Sequence, residues 1–318
     1  MASRLYEARI DEIITLRDQT MPLFLYYAMK HPHGPIEPPY NVAPGNTISI
    51  GERYKRAGIK YDKWKALITD ADEQIGRVFR SLKKNKILGN TVVMIMSDNG
   101  GYETRNGNLR GFKRSLYDGG IRSPAIIYHP SLRGRGVVKD LFHITDVHNM
   151  FTRLARCGFR SHCDLTDLEG LDGRDPFELV FGDKKPHRAG FLVNIDQHKR
   201  EGAYRQGDYK VIVRWSWRVE DSVGYFVSNE KLLQILRDPS LYTAELYDMV
   251  NDEQEQYNLA DIYTEKVKEL VGLIREEIVK GIVPPMGYKG IDRDEMLKRC
   301  DPGNFGGAWW PWGENIDD

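Results

Sequence analysis

Two oxygen-bearing side chains stand side by side at the end of an apolar run. Asp98 and Asn99 follow Thr91–Met96 and Ser97, and Gly100 and Gly101 follow them. A carboxylate beside an amide oxygen suits a hard divalent cation such as Ca2+, which prefers oxygen ligands. The two glycines let the backbone turn sharply without a Cβ penalty. Asp-Asn-Gly-Gly is also common turn chemistry, so the tetrapeptide alone decides nothing. Lys113 lies downstream, between the glycine-containing turns Arg110-Gly111 and Asp118-Gly119-Gly120. Upstream, His33 sits in a loop bounded by prolines, Pro32-His33-Gly34-Pro35. A loop histidine by itself is ordinary, although an imidazole with a pKa of about 6.5 can move protons near neutral pH.

An alternation of helices and strands must position these residues. Arg4–Arg17 has apolar residues at helical spacing (Leu5, Ile10, Ile13, Ile14, Leu16), which predicts an amphipathic helix ending before Pro22. Leu23–Tyr27, all apolar, predicts a strand leading to the His33 loop. Tyr61–Lys84 predicts a long helix, on which Asp70 and Asp72 are expected to be solvated rather than metal-binding. Thr91–Met96 predicts a strand covered on both faces of a parallel sheet, and Pro124–Tyr128 predicts another. Such alternation belongs to parallel α/β folds, which place chemistry at strand carboxyl ends. Thr145 or Asp146 is expected to cap a helix running to about Arg156. Pro176–Phe181 predicts a short helix. Composition changes near Lys184-Lys185-Pro186, so two domains are expected, 1–185 and 186–318. In the second, Phe191–Ile195, Ala203–Arg205, Tyr209–Trp215 and Glu245–Met249 predict antiparallel strands, closed by a helix over Asn258–Lys280.

Lys plus Arg and Asp plus Glu each number 46, so the formal charge balances and no nucleic-acid partner is signalled. No apolar run approaches the roughly 18 residues of a membrane span, so no transmembrane segment is expected. Residues 1–20 lack the apolar core of a signal peptide. The cysteines are Cys157, Cys163 and Cys300. Cys157 and Cys163 could close a small local loop, whereas Cys300 is either free or bonded outside this chain. There is no Asn-x-Ser/Thr sequon.

The order of the central block is more specific than its parts. An apolar strand, Ser97-Asp98-Asn99-Gly100, then Leu109-Arg110-Gly111-Phe112-Lys113, then Tyr117-Asp118-Gly119-Gly120-Ile121-Arg122-Ser123-Pro124-Ala125 together resemble the sulfatase family of the alkaline phosphatase-like superfamily. Pro22–Ala28 followed by Pro32-His33-Gly34-Pro35 is similar to the family's strand and Pro-His-x-Pro loop, and the match falls on His33, not His31. Gly207-Asp208-Tyr209-Lys210 and Glu245-Leu246-Tyr247-Asp248 through Asn258-Leu259-Ala260 look like its C-terminal subdomain. Arg299-Cys300-Asp301-Pro302 with Trp309, Trp310, Pro311 and Trp312 resembles the end of the arylsulfatase B (N-acetylgalactosamine-4-sulfatase) branch. Those tryptophans read either as a tail packed on the core or as a carbohydrate platform. The resemblance runs from about residue 4 to 313.

The resemblance implies an α/β fold: an incomplete alkaline phosphatase-like, mostly parallel sheet flanked by helices, plus a small α+β subdomain with an antiparallel sheet. It implies a sulfuric ester hydrolase acting on aryl sulfates, sulfated sugars or glycosaminoglycans. Asp98 and Asn99 would hold one Ca2+. Lys113 would bind sulfate and stabilise charge on the bridging oxygen. His33 would contact the ester and protonate the leaving alcohol, so His33 and Lys113 are both the expected catalytic and the expected substrate-binding residues. The family's nucleophile is a formylglycine made from the cysteine of Cys-x-Pro/Ser-x-Arg. No cysteine here fits: Cys157 is followed by Gly-Phe-Arg, Cys163 by Asp-Leu-Thr and Cys300 by Asp-Pro-Gly. The family's Asp-Asp metal pair and its second Lys and His have no counterpart either. The chain is therefore expected to be the carboxyl-terminal portion of a sulfatase, inactive alone, with incomplete calcium ligation. A missing amino-terminal half is its expected partner, with Cys300 as a candidate tether. The relatives' compartments imply a lysosomal or secreted location. Two further readings stay open, a non-catalytic binder of sulfated sugar or of a partner, and a phosphatase or phosphodiesterase of the superfamily. The Asp98-Asn99 pair favours a single Ca2+ over paired zinc.

Overall fold

The computed structural model describes residues 2–34, 62–102, 105–132, 136–160, 162–168, 170–182, 186–197, 199–216 and 228–281. The chain divides into two compact units, Met1–Asp98 with Ser123–Arg188, and Asn99–Arg122 with Ala189–Asp318. The loop that carries Lys113 thus groups with the later residues, whereas the sequence places it in a domain ending at residue 185. Cys300 and the tryptophan tail lie outside the described residues.

In the first unit, helix α1 (Ala2–Leu16) and helix α2 (Lys63–Lys84) join their apolar faces at Ile10, Ile14, Leu82 and Val78. The carboxylate of Asp62 accepts hydrogen bonds from Trp64 N (2.8 Å) and Lys65 N (3.1 Å), capping α2, a contribution of about 1 kcal/mol. Lys83 and Lys84 occupy its last turn, where the helix dipole favours cations. Arg77 pairs with Glu7, and Ser81 Oγ donates to Asp11 at 2.5 Å, so polar contacts flank the apolar seam.

Strands β1 (Val93–Met96) and β2 (Ala125–Tyr128) pair antiparallel, Val93 opposite Tyr128 and Met96 opposite Ala125. The parallel pairing expected here is thereby corrected for these two strands. The chain returns to the end it left: Ser97 N donates to Pro124 O at 3.2 Å, and a strand re-entering at that end runs backward. Met96 and Ile126 are exposed and the other strand residues are at most half-buried, so the expected cover on both faces is not met among the described residues. Leu23–Tyr27 forms no strand, and Phe24 and Tyr26 are exposed. Apolar content suits a strand, but a strand also needs a partner to bond its backbone. Helix α3 (Asp146–Cys157) buries Met150 against Phe177, Val180 and Phe181. A Cys157–Cys163 disulfide closes the loop behind it.

The second unit holds a sheet of four antiparallel strands in chain order: β3 (Gly190–Asp196), β4 (Glu201–Gln206), β5 (Tyr209–Trp215) and β6 (Tyr242–Asp248). Side chains alternate across a strand, so Val211, Val213 and Trp215 of β5 face one way and Lys210, Ile212 and Arg214 the other. The first face packs on helix α4 (Asn229–Ile235) and helix α5 (Thr264–Val279) through Leu232, Ile235, Leu270 and Ile274. Helix α5 starts later than the expected Asn258, because Asn258 Oδ1 accepts from Leu246 N and Ala260 N, both at 3.0 Å, and holds a turn instead. On the second face, Ala203, Ile212, Tyr247 and Met249 pack on Leu116. Segment Asn99–Arg122 is the cover of that face.

Candidate active site

In the second unit, Asn99 and Lys113 sit on two turns stitched together by backbone. Gly100 N donates to Gly120 O and Lys113 N to Gly101 O, each at 2.9 Å. Asn106 accepts from Gly101 N at 2.5 Å and donates to the carbonyls of Gly101 and Gly111, both at 3.1 Å. The close approach explains the glycines: a Cβ on Gly100 would lie 1.9 Å from Gly119 O. Asn99 Nδ2 donates to Gly100 O at 2.9 Å. Lys113 is half-buried, and its ammonium makes no hydrogen bond among the described residues. A fixed main chain therefore carries an uncommitted cation.

The sheet holds this loop through a buried charge cluster that sequence reasoning missed. Lys210 Nζ lies 2.6 Å from Asp118 Oδ1 and 2.5 Å from Glu255 Oε1, and donates to Leu116 O at 3.2 Å. Glu255 also accepts from Asp118 N at 2.7 Å. Burial pushes the Glu255 carboxyl up despite the opposing Lys210 ammonium. Arg110 donates to Tyr247 OH and Glu255 O, both at 2.8 Å, and stacks on the Tyr117 ring at 4.1 Å. Burial raises the pKa of Tyr117 and Tyr247, so both phenols stay protonated and donate to Glu245 at 2.7 and 2.6 Å. The only local signal was Lys210 within Gly207-Asp208-Tyr209-Lys210, where it reads as an ordinary strand residue.

In the first unit, Asp98 is exposed at the end of β1, and its carboxylate accepts no hydrogen bond from the described residues. His33 is exposed, with Nδ1 2.9 Å from Gly34 O. His31 is placed differently: its Nδ1 lies 2.6 Å from Asp70 Oδ2. Asp70 also accepts from Gln74 Nε2 at 2.6 Å, and Tyr27 OH donates to Gln74 Oε1 at 2.6 Å. Asp70 is therefore buried, contrary to the solvated carboxylate expected. Ala66, Asp70 and Gln74 recur every fourth residue on the buried face of α2, and there a carboxylate needs partners. Asp72 is exposed, as expected.

Asp146, also in the first unit, is fully buried. It accepts from His143 N and Arg174 N at 2.8 Å and from His187 Nε2 at 2.9 Å, and pairs with Arg188. Burial alone would raise its pKa, but these bonds outweigh it and hold the carboxyl well below the usual range. Thr145 takes the N-cap position of α3 without a side-chain bond to the helix backbone, its hydroxyl lying 2.9 Å from His143 Nδ1 instead, and Asp146 serves as a structural knot in the first turn.

Asp98 and His33 belong to the first unit, Asn99 and Lys113 to the second. No cluster of three or more His, Cys, Asp and Glu side chains suited to a metal occurs among the described residues. Asp98 and Asn99 are the right kind of donor for Ca2+, but supply only part of the six to eight oxygens it takes. No helix among the described residues is long and apolar enough to cross a membrane.

A model of the sulfatase family matches residues 3–157. Arylsulfatase J of Mus musculus is 27% identical over 344 residues, covering 98% of this chain and 53% of that protein. N-acetylgalactosamine-6-sulfatase of Sus scrofa is 30% identical over 159 residues, covering 48% of this chain and 27% of that protein. The chain thus spans about half the length of the first relative and a shorter piece of the second. A crystal structure of Ps i-CgsB in complex with k-i-k-neocarrahexaose matches with a TM-score of 0.65 at 19% identity, over 94% of this chain and 58% of that one. The shared architecture is the alkaline phosphatase-like α/β fold, incomplete here. The family match over residues 3–157, the relatives and this fold together support membership of the sulfatase family.

Proposed function

We propose that this chain carries the sulfate-holding and part of the calcium-holding residues of a hydrolase that cleaves sulfate esters of sugars, such as those of glycosaminoglycans. One observation carries the reading: the ammonium of Lys113 is uncommitted among the described residues, on a backbone bonded to the Asn99 turn through Lys113 N and Gly101 O at 2.9 Å. A half-buried cation held this way suits a charge-assisted bond to a sulfate oxygen. It would also stabilise negative charge as the ester bond breaks. His33 would contact the ester. Asp98 and Asn99 would hold Ca2+, which when bound neutralises sulfate charge. The remaining calcium ligands and the hydroxyl nucleophile would come from residues outside this chain. The sugar ester class is supported by the name of the N-acetylgalactosamine-6-sulfatase relative. The arylsulfatase B branch is our finer assignment and rests on the Arg299–Trp312 tail. The Cys157–Cys163 disulfide favours an oxidising compartment, so we assign a lysosomal or secreted location.

The test is sulfate release from sulfated N-acetylgalactosamine by the protein purified from its natural source, with intact mass measured in parallel. Lys113→Ala should lower kcat/KM by about 100-fold or more, and calcium chelation should abolish turnover. Zinc-dependent release of phosphate instead, or retained binding of the sulfated sugar with no turnover, would overturn the proposal.

A further inference from the structure

We propose that Glu255 is a positioning residue for Lys113: from the turn after β6 it clamps both ends of the loop that presents this cation to sulfate. The inference rests on the sulfatase reading above and adds to it a residue that touches no substrate. Gly119 N donates to Arg110 O at 2.7 Å and closes the base of the loop. Glu255 reaches both sides of that base. Its Oε2 accepts from Asp118 N at 2.7 Å, and its backbone oxygen accepts from Arg110 Nη1 at 2.8 Å. Its Oε1 lies 2.5 Å from Lys210 Nζ, which lies 2.6 Å from Asp118 Oδ1 and donates to Leu116 O at 3.2 Å. Lys113 stands between these anchors. Glu255 is itself held from both sides. Its N donates to Asp252 O at 3.0 Å, and the Asp252 carboxylate accepts from Gln256 N at 3.0 Å and Tyr257 N at 2.9 Å.

Two costs mark this residue as more than packing. Glu255 places a carboxylate in full burial, where apolar replacements of an ion cluster are often no less stable. Its φ is +54°, a conformation that glycine adopts without steric cost. Among the described residues, the non-glycine residues with positive φ are Lys86, Arg114, Arg200 and Glu255. The last three belong to this assembly. Arg114 follows Lys113 in the loop, and Arg200 follows Lys199, whose Nζ donates to Arg114 O. Backbone strain of this kind gathers where the geometry of a site is set. A cation that meets developing charge is effective only when it is held in place beforehand, and these bonds hold the backbone that carries it.

The experiment uses the full-length protein and a double-mutant cycle with Lys113. Glu255→Ala should lower kcat/KM on sulfated N-acetylgalactosamine by about tenfold or more. Glu255→Gln keeps an oxygen for Asp118 N and should recover part of that loss. In a Lys113→Ala background Glu255→Ala should cost less than about twofold, because the side chain it positions is gone. A merely structural role would give the same fold-loss in both backgrounds, and that result would overturn the assignment. Amide hydrogen exchange gives a second readout that needs no catalysis. In Glu255→Gln, exchange should quicken by about tenfold at the Lys113 amide and stay unchanged at Val211 in the sheet. Equal acceleration at both, or none at Lys113, would refute the clamp. If the wild-type protein releases no sulfate, the sulfatase reading falls, and the exchange pattern alone then decides whether Glu255 holds the Lys113 loop. The same pattern decides if Glu255→Ala does not fold.

Discussion

Replacing Lys210 by Met removes a charge while nearly preserving volume, so the consequence is almost purely electrostatic. Lys210 is fully buried between Asp118 and Glu255. Losing its ammonium leaves two carboxylates facing each other away from water. Each charge-assisted bond contributes about 1.5–3 kcal/mol, and removing one partner of a buried ion cluster typically costs about 3–5 kcal/mol. Of a domain stability of roughly 5–15 kcal/mol, that is a large share. The pH dependence has a definite sign. The Glu255 carboxyl is already raised by burial, so its stabilising contribution is complete below its unfolded value of about 4.3 and is lost as pH rises through the folded value. Without Lys210 that raise is larger, so protonating Glu255 relieves the variant. The Lys210→Met deficit should be greatest near pH 8 and shrink toward pH 5. Lys210→Met/Glu255→Gln should recover part of it. Urea unfolding across that range, with hydrogen exchange at the Val211 and Val213 amides, measures both effects. A deficit below about 1 kcal/mol at neutral pH, or one that grows as pH falls, would refute the reasoning.

Asp146→Asn should destabilise the first unit by about 2–3 kcal/mol at pH 7, since an amide cannot satisfy His187, Arg188 and two backbone donors as an anion does. Because the folded carboxyl titrates below its usual range, its stabilisation is present above the unfolded pKa of about 3.9 and is lost as pH falls through the lower folded value. Thermal melts should therefore show a constant gap between wild type and variant from pH 7 to 5, closing only below about pH 4. Gly100→Ala puts a methyl 1.9 Å from Gly119 O, so one turn must shift, at about 1–3 kcal/mol. Faster amide exchange at Gly100 and Lys113 would report it, and unchanged exchange would count against the stitched loop.

The legibility of this chain follows the range of its interactions. Residues 209–215 alternate faces within one strand, and α1, α2 and α5 carry the helical spacing of their buried faces, so local sequence is enough to find them. Whether β1 and β2 run parallel depends on which end of the strand the loop returns to, and no local pattern carries that. Leu23–Tyr27 has strand composition, but composition does not supply a pairing partner. Asp70 reads as a surface carboxylate because its partner His31 is 39 residues away. The Lys210 cluster is similarly hidden, since its members are separated by 92 and 137 residues. Within the candidate site, the glycines around Asn99 and Lys113 announce tight turns. That those two turns bond to each other emerges only from the folded backbone.

The excursion of Asn99–Arg122 bears on how this protein can be inherited and assembled. The second unit is not a contiguous cassette: the strand-covering stretch with Leu116 and Asp118 is encoded inside the first unit's sequence. Cutting the gene at Arg188 and transplanting the downstream portion would carry the sheet away without the lining of its second face, exposing Lys210, Ile212 and Tyr247. The two units are thus bound to a common fate in recombination. In synthesis the order is equally constrained. The loop bearing Lys113 emerges about a hundred residues before the sheet that fixes it, so it must wait for β5 and β6 before its geometry exists. Such distant closures are slow to form, and Lys113 belongs to a part of the molecule that matures late.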